Sequence, residues 1–388
     1  MSAYVETARA AYQPPAPGEG LASVVPAALL ALGGRLPEGI PAPTWSLPPT
    51  RQVVVVLVDG LGARQLARRS GHAPFLRTLT SPVPDAHCGF PSTTATSLTS
   101  LGTGRLAGDH GVVGWQTGLQ GGERLFNHLA WRDGPTPELY QPHRTLFQEA
   151  GRLDITMTSV SRKMFDGSGF TRAALRGGGY RAADTTAERV RGVLGALAEA
   201  GRKGRALVYT YWDEVDKVGH VRGPGTLEWG EAVEAVDSYI ATLAQAAPKG
   251  TVFVVTADHG MVDAPVAQRR DLAAGDPLGQ GVRLLAGEPR APQVWCEPGA
   301  VDDVAALWRA ELADDAIVLT REELLESGWL GPVREGVAER VGDLVVAMLG
   351  NATVMDSSLL RPEVVRLVGH HGSITDAETA VPLLVHQS

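Results

Sequence analysis

Three short apolar runs constrain this chain more than any other feature. Residues 53–58 read V-V-V-V-L-V, residues 206–211 read A-L-V-Y-T-Y, and residues 251–256 read T-V-F-V-V-T. None alternates apolar with polar positions, so each is expected to be a strand buried on both faces, as in a parallel sheet covered by helices. Residues 155–160 give a further short strand of the same kind. The segments between them have helical spacing. Residues 185–200 put Ala187, Val190, Val193, Leu194 and Leu197 on one face, with Asp184 as the expected cap, and residues 226–246 form a second helix. Strand, helix, strand in this order predicts an α/β fold with a doubly wound, mainly parallel sheet.

Such sheets bind ligands outside the C-terminal ends of their strands. Asp59 directly follows the first run, Y-W-D-E-V-D-K-V-G-H leaves the second, and A-D-H-G-M leaves the third. The loop Gly60-Leu61-Gly62 also invites a dinucleotide reading, but Gln65 stands where the third glycine of G-x-G-x-x-G is required.

The 388 residues, 44% of them apolar, suit one large or two moderate domains. Residues 1–50 read as an arm and linker, with short helices near 4–11 and 21–32 before a proline-rich connector. Residues 51–263 and 359–388 form the expected catalytic core. Residues 264–358 change pattern, with short strands at 294–296, 316–319 and 344–348 and helices at 301–312 and 321–327. They are expected to be a smaller inserted α+β subdomain or an extension of the sheet. A net charge of −8 argues against a nucleic-acid polymer as partner. Two cysteines, Cys88 and Cys296, are too few for a disulfide framework and point to a reducing compartment, the cytoplasm. No apolar run reaches the roughly 20 residues of a membrane span. Nothing in the chain indicates an oligomeric state.

The polar residues at the strand ends form one constellation. Asp59, Asp216, His220, Asp258, His259 and His371 offer three carboxylates and three imidazoles, a mixture that borderline metals such as zinc favour. Asp216 and His220, four apart, share a face of a helical turn. Lone histidines elsewhere (His72, His87, His110, His128, His143) read as ordinary surface or core residues. The hydroxyl-rich, uncharged run 90–104, F-P-S-T-T-A-T-S-L-T-S-L-G-T-G, reads as a loop entering a helix. By itself it would be a polar helix start. Beside six candidate ligands, one of its threonines becomes a nucleophile for divalent cations to activate, and six ligands suit two ions better than one.

With these motifs and H-G-V-V-G, H-H-G-S and the D-H-G in this order, the chain resembles the alkaline phosphatase superfamily, and within it the nucleotide pyrophosphatase/phosphodiesterase family. The resemblance runs from Val53 to the C-terminus. It implies Thr94 as nucleophile, three positions after Pro91 and ten before Gly104. It implies one metal held by Asp59, Thr94, Asp258 and His259, and a second held by Asp216, His220 and His371, both zinc. Asp213 and His370 are rivals for Asp216 and His371. The implied reaction is hydrolysis of a phosphate diester or nucleotide pyrophosphate on a small phosphorylated substrate such as a nucleotide. The alternative is a phosphomonoesterase or phosphonate hydrolase on the same metals. One departure stands out: the family places an asparagine, a donor to a phosphate oxygen, where this chain has Trp115. Trp115 itself, a backbone N–H, or another side chain such as Arg162 or Lys163 is expected to replace it.

Overall fold

The computed structural model describes residues 2–84, 86–201 and 204–388. Its centre is a six-stranded sheet in the order Leu383–Gln387, Val252–Thr256, Gln52–Val58, Arg205–Trp212, Ile155–Ser161, Gly179–Ala182. All neighbouring pairs are parallel except the edge pairing of Leu383–Gln387 with Val252–Thr256. Every residue of Gln52–Val58 is buried, as the unbroken apolar run requires of a strand covered on both faces. The registers align Val58 with Trp212 and Leu57 with Thr256, so the three loops that leave these strands emerge at one edge.

The helices arise from ordinary local chemistry. Thr185, not Asp184, caps Thr186–Ala200: its hydroxyl accepts from the Glu188 N–H while Glu188 reaches back, a reciprocal capping box. Asp184 instead accepts from the Lys163 N–H at 3.1 Å. The buried stripe of this helix also lies partly off the expected face. Ala187 is exposed and Arg189 is buried, its guanidinium 4.7 Å over the Trp212 ring and bonded to Asp213 and Glu214. A charged residue can take a core position when its charge is paired and its stem packs.

A second sheet, antiparallel throughout, runs in the order Val282–Glu288, Ala291–Cys296, Leu344–Met348, Ala316–Thr320. Helix Val301–Leu312 packs against it through Val304, Trp308 and Leu312. A second apolar cluster joins this sheet to the first residues of the chain and to the 90s loop. Trp329 donates its indole N–H to the Ala8 carbonyl at 3.0 Å, and its ring lies 5.8 Å from Tyr12 and 5.2 Å from Phe90. The hairpin Val282–Glu288/Ala291–Cys296 delivers Glu288 to the central site. Its first strand is absent from the expectations above.

Candidate active site

Asp59 follows strand Gln52–Val58, and its N–H is held by the Trp212 carbonyl at 2.8 Å. Asp216 and His220 lie one turn apart on helix Glu214–Arg222. Asp258 and His259 occupy the turn after Val252–Thr256, and His371 follows the short strand Gly369–His370. The fold gathers these six into two triads, Asp59/Asp258/His259 and Asp216/His220/His371, the ligand atoms within each lying no more than 4.8 Å apart. The triads adjoin, because the His259 and His371 rings stack at 3.6 Å. Gly60 makes the approach possible. At φ +71 a Cβ there would lie 2.9 Å from the Asp216 Cα, so only glycine lets the Asp59 turn close on the helix.

Each imidazole is tied in the same way. The Nδ1 of His220 faces the Gly369 carbonyl at 2.7 Å, that of His259 the Gly260 carbonyl at 2.9 Å, and that of His371 the Ser92 carbonyl at 2.9 Å. A backbone carbonyl on Nδ1 fixes the proton there and leaves Nε2 with its lone pair free for a metal. The carboxylates are similarly divided. Tyr211 donates its hydroxyl to Asp59 Oδ2, and the Gly60 and His259 N–H groups, each at 3.1 Å, hold Asp258 Oδ1. The other oxygens, Asp59 Oδ1 and Asp258 Oδ2, together with Asp216 Oδ1, are buried without a hydrogen-bond partner. Orphaned oxygens converging on free imidazole nitrogens fit divalent cations. The charges agree with this fit. Burial, then the Asp216 and Asp258 charges, raise the Asp59 carboxyl well above the usual carboxylate range. Burial, then His259 and His220, hold the His371 imidazole well below its usual value.

Thr94 is the first residue of helix Thr94–Thr103, and its hydroxyl lies 3.2 Å from His259 Nε2. The Thr93 side chain makes no capping bond, so the helix starts beside the site without a side-chain cap, and a helix N-terminus favours an anion. Thr96, in the same hydroxyl-rich run, donates to the Val112 carbonyl instead. Asp59, Asp216, His220, His371 and Thr94 line a cavity of about 690 Å³, whose lining is also apolar in part, with Leu98, Phe165, Phe170 and Leu175.

A family model, type I phosphodiesterase/nucleotide pyrophosphatase, matches residues 53–374, most of the chain. The chain belongs to this family. It is therefore a phosphoric ester hydrolase of a metal-dependent kind. Among solved structures it is similar to murine ectonucleotide pyrophosphatase/phosphodiesterase 5, at 19% identity and TM-score 0.69, over 86% of this chain and 88% of that one. An inactive threonine-to-alanine form of the murine protein in complex with AMP matches at 18% identity and TM-score 0.68, over 87% and 88%. The human protein matches at 16% identity and TM-score 0.67, over 86% and 87%. At these identities the likeness is one of fold, the alkaline phosphatase-like α/β architecture. No curated protein sequence matches the chain.

Among the other candidates, Asp213 stands outside the triads, taken by Arg162 at 2.9 Å, by Arg189 and by Lys217. His370 faces the Leu367 carbonyl at 3.2 Å. Arg162 and Lys163 do not line the cavity, and with Arg162 bound to Asp213 neither replaces the family asparagine. The lone histidines lie elsewhere: His72 pairs with Glu234, His110 with Ser100, His128 with Tyr140 and His143 with Asp109. Gln65 is buried and donates to the Met261 and Ala377 carbonyls, so the G-x-G turn is a structural brace. Glu288 is the residue the sequence reading missed. It is 3% exposed, lines the cavity, and accepts from the Trp115 N–H at 2.6 Å. Burial raises its carboxyl to about 7 against the pull of the Thr93 hydroxyl and the Trp115 N–H. The only signal was an acidic residue between Gly287 and Pro289.

Proposed function

We propose that the protein hydrolyses phosphate diesters or nucleotide pyrophosphates, with Thr94 as nucleophile and two zinc ions. Asp59, Thr94, Asp258 and His259 would hold one ion; Asp216, His220 and His371 would hold the other. The observation that carries this reading is the Thr94 hydroxyl, 3.2 Å from His259 Nε2 and beside two triads whose carboxylates each keep an unpartnered oxygen. Zinc, when bound, supplies a Lewis acid that makes a hydroxyl more acidic and neutralises charge developing on oxygen.

The chain's own residues do the rest. The Thr94 oxygen attacks phosphorus in line. A bond forms from Thr94 Oγ1 to phosphorus as the hydroxyl proton passes to solvent, the ester bond opposite breaks, and the departing oxygen takes up a proton from solvent. Water then cleaves the phosphothreonine and restores the hydroxyl. The free N–H groups of helix Thr94–Thr103 hold the phosphoryl oxygens meanwhile. The apolar wall of the cavity suits an organic group attached to the phosphate, which a diester or a nucleotide presents. The murine relative crystallised with AMP in a threonine-to-alanine form supports both the nucleotide and the nucleophile.

Thr94→Ala tests the reading. Metal content, measured by elemental analysis, should hold near the wild-type level while cleavage of thymidine monophosphate p-nitrophenyl ester falls by at least ~10³-fold. Full turnover in that variant would remove the threonine from the mechanism.

A further inference from the structure

We propose that Glu288 selects substrates by charge, its carboxylate turning away phosphoryl groups that carry two negative charges and admitting those that carry one. The inference rests on the phosphoester reading above and deepens it.

Each neighbour of Glu288 stands next to the reacting set. Trp115, at the family's asparagine position, gives its N–H to Oε1 at 2.6 Å. Thr93, which lines the cavity with Glu288, precedes Thr94. Gly372 follows His371 and packs so closely that a Cβ there would lie 2.7 Å from the Glu288 Cβ. These contacts place the carboxyl on the wall of the cavity that Thr93 and Thr94 also line. They also remove one expected oxyanion donor, because the Trp115 N–H is already committed. What remains is Glu288 Oε2, buried and without a partner. An unpartnered carboxylate oxygen beside a phosphoryl group opposes extra negative charge, and specificity often comes from such a repulsive element. A monoester at alkaline pH presents two charges there, a diester one. Where an asparagine would donate to either, this chain opposes the dianion.

The test is Glu288→Gln in the metal-loaded, full-length enzyme at a single alkaline pH. Glutamine keeps an acceptor for the Trp115 N–H and puts a neutral donor in place of Oε2. The ratio of kcat/KM for p-nitrophenyl phosphate over thymidine monophosphate p-nitrophenyl ester should rise roughly tenfold. Calorimetric affinity for inorganic phosphate should rise by a similar factor. Glu288→Asp, which keeps the charge, should show neither rise. If both readouts of the Gln variant stay within about twofold of wild type while the wild type cleaves the diester, the charge selection alone is refuted. If the wild type cleaves neither ester but the Gln variant still binds phosphate more tightly, the hydrolase reading falls and the selection stands. Should the Gln variant melt like an unfolded chain, Glu288→Ala with the same two readouts decides.

Discussion

A single hydroxyl shows how much rests on residues that act through a neighbour. Tyr211 holds Asp59 Oδ2, which leaves Oδ1 aimed at the triad. Groups of this kind orient a ligand, and losing one typically weakens metal binding by ~10–100-fold. Tyr211→Phe should therefore lower zinc affinity by that factor in a competition titration with the fold intact; unchanged affinity would mean that Asp59 needs no support. The assignment of His259 and His371 follows the same logic. Both rings have Nδ1 on a backbone carbonyl, whereas the Nδ1 of His110 accepts from the Val112 N–H. Residue type was legible in the sequence, but the difference between a candidate ligand and a core histidine lay in what faced Nδ1.

Among the elements, the second sheet is tied to the site by one buried ion pair. Arg290, in the turn after Glu288, donates to Glu378 at 3.0 and 2.8 Å, and both side chains are fully buried. Glu378 also accepts from the Ser373 N–H at 3.1 Å, two residues beyond His371. Removing the carboxylate strands a guanidinium in the core, so Glu378→Ala should cost about 3–5 kcal/mol in denaturant unfolding. A loss below ~1 kcal/mol would show that the Gly350, Ala352 and Met348 carbonyls, which also accept from Arg290, suffice without it. Helices and strands with strong periodicity formed where their patterns placed them: Val301–Leu312, Arg321–Ser327 and Leu344–Met348 match the expected bounds. The strand Val282–Glu288 escaped notice because arginine, glycine and glutamate interrupt its apolar run, and its pairing with Ala291–Cys296 provides what its own sequence lacks.

Across the whole molecule, stability should fall in acid. His110 and His128 are buried and fully shielded, and burial lowers each imidazole to about 3. Both are neutral in the fold, while the unfolded chain takes up protons below about pH 6.5. Their contribution is therefore fully present above that value and is lost as pH falls toward 3. At about 1.4 kcal/mol per group per pH unit, the pair should remove roughly 4 kcal/mol between pH 7 and pH 5. Denaturant unfolding at the two values measures it, and a flat response would contradict neutral burial. The sequence by itself determined the α/β class, the strands that end in aspartate, and a ligand set of the right chemistry, because burial on two faces and i,i+4 spacing are local properties written in residue order. Only the tertiary structure decided that Asp216 rather than Asp213 joins His220 and His371, that Gly60 lets two loops close, and that Glu288 reaches Trp115 from 173 residues away. Those are contacts between segments distant in the chain, and no local pattern encodes which segments will meet.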